Sequence, residues 1–113
     1  EFRRVLFRSS ELRLIEAGAV RSERLEPAEL GLGAAPLESL VGGDCETNRA
    51  ILEAVLQGRG SAPQRDVVAL NAALTLWAAG QADSIGAAVP MALEAMASGA
   101  AWARFEALRT ALA

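Results

Sequence analysis

The stretch "GGDCETNRAILEAVLQGRGSAPQRDVVALNAALTLWAAG", residues 42–80, contains two apolar helical patterns joined by a Gly/Ser/Pro turn. The first pattern predicts a helix over about residues 45–57. Asp44 is placed to cap this helix, since its carboxylate can accept a backbone N–H of the first turn. Gly58 predicts the end, because a left-handed glycine often follows a helix. Four residues form its apolar stripe: Ile51, Leu52, Val55 and Leu56.

The second pattern predicts a helix that Ser61 and Pro63 begin and Gly80 ends. After Asp66 this helix is apolar nearly all round, so we expect it to be buried on most sides. Asn71 lies in its middle. Its amide either contacts a ligand or is buried and bonded to neighbouring backbone, and the second interpretation is favoured because buried polar groups are normally hydrogen-bonded.

Two further helices are predicted towards the C-terminus. Ser84 caps a helix that runs to about Ser98, and Pro90 should bend it because proline removes one backbone hydrogen bond. The final helix follows Gly99. The apolar face of the third helix holds Ile85, Val89, Leu93 and Met96, and that of the fourth holds Trp102, Phe105, Leu108 and Leu112. Both tryptophans of the chain therefore point to core packing rather than to base stacking or a cofactor site.

The residues before the helices predict a β-hairpin over 11–25, "ELRLIEAGAVRSERL", with Gly18 supplying the positive φ of its turn. A lone two-stranded hairpin is marginal in water, so we expect it to belong to a larger sheet. Pro27 then predicts a short helical turn that Gly31 closes. The fragment is thus predicted to be mostly α-helical, with about four helices and one N-terminal β-hairpin.

Residues 1–10, "EFRRVLFRSS", differ from the rest because three of the eleven arginines stand there beside two phenylalanines. They are either a basic amphipathic arm for a membrane or a partner, or a cloning or sequence-assembly remnant. The remnant is the favoured interpretation. We therefore expect residues 1–10 to be a non-native leader and residues 11–113 to be the native segment.

Composition narrows the class of protein. The 113 residues suffice for one modest domain, and 25 of them are alanine, so a core requires close helix packing. The net charge of −3 and the scattered arginines speak against nucleic acid, and no apolar run is long enough to predict a membrane span. A single cysteine, Cys45, excludes an internal disulfide and fits a reducing cytoplasm. Histidine is absent, which removes the commonest general base and metal ligand.

Gly42-Gly43-Asp44 is the first candidate site, because glycines before a helix can cradle a phosphate. The segment lacks GxGxxG spacing and the GK[ST] of a P-loop, and the Asp44 carboxylate would repel a phosphate. Helix capping is therefore the favoured interpretation. Cys45 has no histidine to activate it as a nucleophile.

The other candidates are an acidic pair and two arginines. Asp44 and Glu46 could serve acid–base or Mg²⁺ chemistry only if they converged on a cleft, and a helix start explains them equally well. Arg59 and Arg65 flank the Gly/Ser/Pro turn and could touch an anion, but a solvated loop is the stronger default. From its residues alone, the chain is predicted to hold no catalytic, cofactor-binding or metal-binding residue.

Four motifs, in order and with their spacing, resemble the C-terminal end of the anthranilate phosphoribosyltransferase family. They are "LEPAELGL", "PLESLVGGDCETNRAILEAVLQG", "RDVVALNAALTLWAAGQADSI" and "ALEAMASGAAWARFEALR". The resemblance runs from about Leu12 to Leu108. Its most specific pieces are residues 42–44 followed by Asn48, and the helix over residues 65–80. Ala17-Gly18 in the hairpin turn and Pro90 in a helix depart from the family pattern.

This resemblance implies an α/β enzyme with a small helical domain, a large α/β domain and the active site between them. Such enzymes transfer phosphoribose from phosphoribosyl pyrophosphate to anthranilate, with Mg²⁺, in tryptophan biosynthesis. It also implies a cytoplasmic homodimer formed mainly through the small domain, with no nucleic acid or membrane partner. Residues 11–113 would be the C-terminal segment of the large α/β (glycosyltransferase family 3) domain.

The family's functional residues would all lie upstream of this segment. They are a glycine-rich pyrophosphate loop, the anthranilate-binding residues and an Asp-Glu pair for Mg²⁺, the last expected just before the hairpin. The fragment alone is therefore expected to be inactive. Two alternatives stay open: a non-catalytic helical interaction module, and a related superfamily enzyme acting on another base or nucleoside.

Overall fold

The computed structural model describes residues 10–33, 35 and 37–113. Their order is a two-stranded antiparallel hairpin, two short 3₁₀ helices and four α-helices, which confirms the predicted fold class. The strands are β1 (Ser10–Glu16) and β2 (Ala19–Leu25), and the 3₁₀ helices are Pro27–Leu30 and Leu37–Leu40. The α-helices are α1 (Cys45–Leu56), α2 (Ala62–Ala78), α3 (Ile85–Ala97) and α4 (Ala100–Leu112). Apart from Ser10, the leader predicted at residues 1–10 lies outside the described residues.

The hairpin pairs β1 with β2 from Ser10 opposite Leu25 to Glu16 opposite Ala19. Its two turn residues both have positive φ, 50° at Ala17 and 82° at Gly18. This is the geometry of a two-residue turn whose twist matches that of the strands. Gly18 fulfils the predicted role, whereas Ala17 occupies a backbone region that favours glycine or asparagine.

The helix starts follow from local side-chain hydrogen bonds, as the sequence predicts. Asp44 accepts the backbone N–H of Thr47 at 2.8 Å. Ser61 and Gln64 form a reciprocal capping box, and Ser84 accepts the backbone N–H of Ala87 at 3.0 Å. Each bond satisfies an N–H that the helix itself leaves unpaired. The predicted glycines follow the helices with positive φ: Gly58, Gly80 and Gly99.

The core lies where α2 crosses α3, and alanine makes their close approach feasible. Ala69, Ala73 and Ala88 have no exposed surface, and Val89 is 2% exposed. Small side chains let the two helix backbones come together without leaving voids. Val55 of α1 packs beside Ala69 in a second buried cluster, separate from that of Ala73, Ala88 and Val89. The expectation that an alanine-rich core requires close helix packing is therefore confirmed.

Several burial predictions were wrong because burial depends on which elements meet. Asn71 is exposed rather than buried, although its amide does bond to backbone, donating to the Val67 carbonyl at 2.8 Å. On α4, Leu108 is 55% exposed and Leu112 77% exposed. Trp102 is half-buried and stacks on its own helix neighbour instead of entering the core.

Two other expectations for the helices have mixed outcomes. The prediction that α2 is buried on most sides fails along one strip, where Val68 is 36% exposed. The helix α3 continues through Pro90, as predicted, and Pro90 itself is exposed to solvent. Within the described part of the chain, no helix is long and apolar enough to cross a membrane.

Candidate functional site

The Gly42-Gly43-Asp44 segment forms a closed turn whose polar groups are already used. The Gly43 N–H donates to Asn48 Oδ1 at 2.9 Å, and Asn48 Nδ2 donates back to the Gly43 carbonyl at 3.1 Å. A Cβ added at Gly42 would stand 2.2 Å from Asn48 Oδ1, so the side chain of Asn48 fills the space above the turn. This leaves the Gly43 N–H committed to an amide rather than offered to a phosphate.

The Asp44 carboxylate completes the turn as a helix cap. Hydrogen bonds to the ionised carboxylate hold the pKa of Asp44 below its usual value. The backbone N–H of Thr47 has the largest effect, followed by the Thr47 hydroxyl. A carboxylate that stays charged at the mouth of the turn repels phosphate and favours the helix start. The geometry therefore confirms the capping interpretation of residues 42–44.

The acidic pair does not converge on a cleft. Glu46 forms an ion pair with Arg49 one turn further along α1, while Asp44 is engaged with the helix start. Arg49 in turn contacts Glu53 at 3.2 Å, and Glu46 is the main cause of the raised pKa of Arg49. Cys45 is an exposed free thiol. These residues form a solvated, ion-paired helix face.

The two arginines of the Gly/Ser/Pro turn also have separate partners. Arg59 donates to the side-chain oxygen of Gln57 at 2.7 Å. Arg65 donates to Asp66 Oδ1, with its Nε at 2.9 Å and a terminal nitrogen at 2.8 Å. The two guanidinium groups therefore donate to different side chains in the described structure.

Asp66 is the residue that sequence reasoning passed over. It is 5% exposed, and it alone is both polar and buried in the part of the chain that the structure describes. Besides Arg65, it accepts the Gly33 backbone N–H at 3.4 Å and so ties α2 to the segment after the first 3₁₀ helix. The sequence feature that could have identified Asp66 is its position as an isolated acid at the start of an otherwise apolar helix. Its contacts give it a structural role.

The described residues do not fit a Mg²⁺ site. No group of three or more His, Cys, Asp or Glu side chains among residues 10–33, 35 and 37–113 is arranged to hold a metal ion. Each of the three acids considered above already has a partner. Asp44 caps α1, Glu46 pairs with Arg49 and Asp66 pairs with Arg65. The Asp-Glu pair that the family resemblance implies for Mg²⁺ is expected just before the hairpin, and its absence from residues 11–113 remains a prediction.

Two adjoining apolar grooves lie on the helical part of the described chain. The first has a volume of about 460 Å³ and the second about 560 Å³. The first lies between α1 and α2 and the second between α2, α3 and the start of α4. Leu56 and Val68 line both, so the grooves form one continuous surface. Their lining is mainly aliphatic, and its polar side chains are Asn48, Gln64 and Thr75.

The described part of the chain is a β-hairpin followed by two 3₁₀ helices and four α-helices. Residues 5–102 match the family model described as "Glycosyl transferase family, a/b domain". Because this match covers most of the 113 residues, the chain belongs to that family.

Curated relatives agree with this assignment. The chain is 56% identical over 104 residues to the anthranilate phosphoribosyltransferase of Parasynechococcus marenigrum (strain WH8102), covering 92% of this chain and 30% of the relative. It is 55% identical, with the same coverage, to the enzyme of that name from Prochlorococcus marinus (strain MIT 9313). The chain thus spans about 30% of the length of these relatives and matches their C-terminal portion.

A solved structure shows the same arrangement. The crystal structure of anthranilate phosphoribosyltransferase (TrpD) from Thermus thermophilus matches with a TM-score of 0.75 and 41% sequence identity. The match covers 85% of this chain and 29% of that chain. The predicted resemblance to the anthranilate phosphoribosyltransferase family is therefore confirmed.

Proposed function

We propose that this chain is the C-terminal part of an enzyme that transfers phosphoribose from phosphoribosyl pyrophosphate to anthranilate, a step of tryptophan biosynthesis. The observation that supports the proposal is the 56% identity, maintained across 92% of the chain, to a relative named for this activity. The match to the Thermus structure also supports it, with a TM-score of 0.75 and 41% sequence identity over 85% of this chain.

In this proposal the described residues stabilise the large domain and take no direct part in the reaction. Their charged side chains serve as caps and ion pairs, and their concave surface is apolar. The groups that bind both substrates and Mg²⁺ belong to the preceding part of the enzyme. The 113-residue chain alone is accordingly inactive, and the complete enzyme is a cytoplasmic homodimer formed through its small domain.

A chimeric enzyme tests this proposal. The part of the Parasynechococcus marenigrum relative that precedes its matched 30% is joined to residues 11–113 of this chain. Turnover is followed as the loss of anthranilate fluorescence in the presence of phosphoribosyl pyrophosphate and Mg²⁺. We expect the chimera to retain activity within about tenfold of the relative, because most substitutions outside an active site change stability rather than chemistry.

The control is the 113-residue chain alone, which we expect to show no turnover above a protein-free blank. Activity of the isolated chain would contradict the proposed division of roles. A folded chimera that does not consume anthranilate would contradict the proposed activity. That result would favour the alternative of a non-catalytic helical module, for which the open apolar grooves are the supporting observation.

A further inference from the structure

The helix α4 is held less firmly by apolar packing than the other three α-helices. It contributes no buried residue, whereas α1, α2 and α3 each contribute at least one. On its apolar face Leu108 is 55% exposed and Leu112 is 77% exposed. In its first turn Ala101 packs against a buried group that we name the Met96 cluster, consisting of Val55, Ala69, Ala92 and Met96. Because helices in proteins are stabilised mainly by packing of an apolar face, α4 depends on further contacts to stay in place.

Arg109 supplies such contacts from the solvent side of α4. Its guanidinium carbon lies 5.7 Å from the ring centre of Trp102 and 5.7 Å from that of Phe105. These two rings stack on each other, with their centres 5.4 Å apart. The same guanidinium contacts Glu106 of its own helix at 2.7 Å and Glu53 of α1 at 3.9 Å. A guanidinium that rests on aromatic rings is already oriented for an ion pair, so Arg109 links α4 to α1.

Glu53 is the side chain of α1 on which this link depends. It is 27% exposed, whereas Arg109 is 51% exposed. Arg49 contacts the same carboxylate oxygen, Oε2 of Glu53, at 3.2 Å, so two arginines from two helices share one acceptor. Ion pairs between partly exposed side chains are weak and are screened by salt. We therefore expect the attachment of α4 to weaken as the salt concentration rises.

The joint between α3 and α4 is free to turn. Gly99 separates the two helices with a φ of 89°, and a Cβ added there would meet no atom within 4 Å. Glycine adopts both signs of φ at little cost, so rotation at this position breaks no packing of its own. The helix α4 therefore starts at a hinge that the rest of the fold does not restrain.

We propose that α4 is a hinged cover of the Met96 cluster, which opens at Gly99 as one unit and is held closed by Arg109 through Glu53. Opening removes Ala101 from the cluster while α2 and α3 stay packed on each other. The burial of the helices supports this order, because Ala73 and Ala88 between α2 and α3 have no exposed surface. Local openings of this kind occur first where few apolar side chains are buried.

Hydrogen exchange followed by mass spectrometry tests the proposal on the 113-residue chain. We expect the amides of α4 to exchange about tenfold faster than those of α2, and the amides of residues 103–106 to exchange as fast as those at its C-terminal end. Equal exchange in α2 and α4 would overturn the proposal. So would fast exchange confined to the end of α4, because that pattern is fraying of a helix that stays attached.

Substitution of Arg109 tests what holds the cover closed. Arg109→Gln should accelerate exchange in α4 about tenfold, because a cation–π contact and an exposed ion pair each contribute a few-fold, and should leave α2 within about twofold. The matched control is Arg104→Gln, which removes an exposed arginine from the same helix and should leave α4 within about twofold. Equal effects of the two substitutions would overturn the role of Arg109.

A double substitution separates the ion pair from the ring contacts. Glu53→Gln should accelerate exchange in α4 about threefold, but should add nothing to Arg109→Gln, because the pair is already lost. Raising NaCl from about 0.05 M to about 1 M should act like Glu53→Gln in the unsubstituted chain and have no effect on Arg109→Gln. Additive substitutions, or the same salt response with and without Arg109, would contradict the link through Glu53.

Discussion

Replacing Asp66 with alanine should destabilise the fold, because Asp66 is the one polar residue that is buried in the part of the chain that the structure describes. The side chain of Asp66 is 7% exposed, that of its partner Arg65 49%. The bond from the Gly33 N–H to the carboxylate is long at 3.4 Å, so we assign it about 1 kcal/mol, the typical value for a neutral hydrogen bond rather than the larger value for a charged acceptor. The ion pair with half-exposed Arg65 adds about 0.5 kcal/mol.

Asp66→Ala should therefore lower the free energy of unfolding by about 1.5 kcal/mol, whereas Asp66→Asn should cost about 0.5 kcal/mol. The amide keeps an acceptor for the Gly33 N–H and loses only the charge. Urea unfolding followed by circular dichroism measures both. For a chain of this size, about 1.5 kcal/mol corresponds to a midpoint lowered by roughly 1 M.

The matched control for this series is Asp83→Ala. Asp83 is exposed, and its removal should change stability by less than about 0.5 kcal/mol. The reasoning is refuted if Asp66→Ala unfolds at the same urea concentration as the unsubstituted chain. It is equally refuted if Asp66→Asn is as damaging as Asp66→Ala, since the Gly33 bond would then carry none of the effect.

Three further predictions concern the hairpin, the core and the first helix cap. Ala17→Gly should relieve the strain of the positive φ of 50° and stabilise the hairpin by roughly 0.5 kcal/mol, which slows its amide exchange about twofold. Faster exchange would contradict the turn geometry. Ala73→Leu should cost about 1–3 kcal/mol in urea unfolding, because Ala73 has no exposed surface between α2 and α3; an unchanged midpoint would show that the interface is loose. Asp44→Ala should lower helix content at neutral pH but not in strong acid. The pKa of Asp44 is lowered in the folded state, so its contribution is complete above the ordinary value of 3.8 and is lost as the pH falls through the lower folded value. Asp44→Asn should show little pH dependence, and a helix loss in Asp44→Ala that persists in acid would exclude the charge as its cause.

The helix boundaries could be predicted from the sequence because their causes are local. Asp44 caps through Thr47, three residues away, and Gly58 supplies a conformation that the residue type itself favours. The hairpin turn follows the same logic at Gly18. Such signals require no knowledge of the rest of the chain.

Burial and tertiary contacts could not be predicted in the same way. The role of Asp66 depends on Gly33, which lies 33 positions earlier in the chain, and no periodicity links the two. The exposure of Leu112 depends on where α4 ends relative to its neighbours. Apolar spacing identifies a helix face but does not say what covers it.

In the candidate site, too, the local features could be predicted from the sequence and the detailed geometry could not. The capping role of residues 42–44 follows from residue types, and the bonds between Gly43 and Asn48 add the geometric detail. The prediction that the chain holds no catalytic or metal-binding residue remains a prediction. It rests on a family whose functional residues would precede the matched region, which covers only 30% of the relatives.

Sequencing the coding region immediately upstream of the codon for Glu11 distinguishes a segment of a phosphoribosyltransferase from a helical module outside that enzyme. If the chain is the C-terminal segment of a phosphoribosyltransferase, that sequence encodes an Asp-Glu pair in frame with "ELRLIEAGAV" and, further upstream, a glycine-rich pyrophosphate loop. If "EFRRVLFRSS" is instead encoded there behind its own start or behind an unrelated domain, the claim is contradicted. The helices would then serve outside the enzyme whose fold they share.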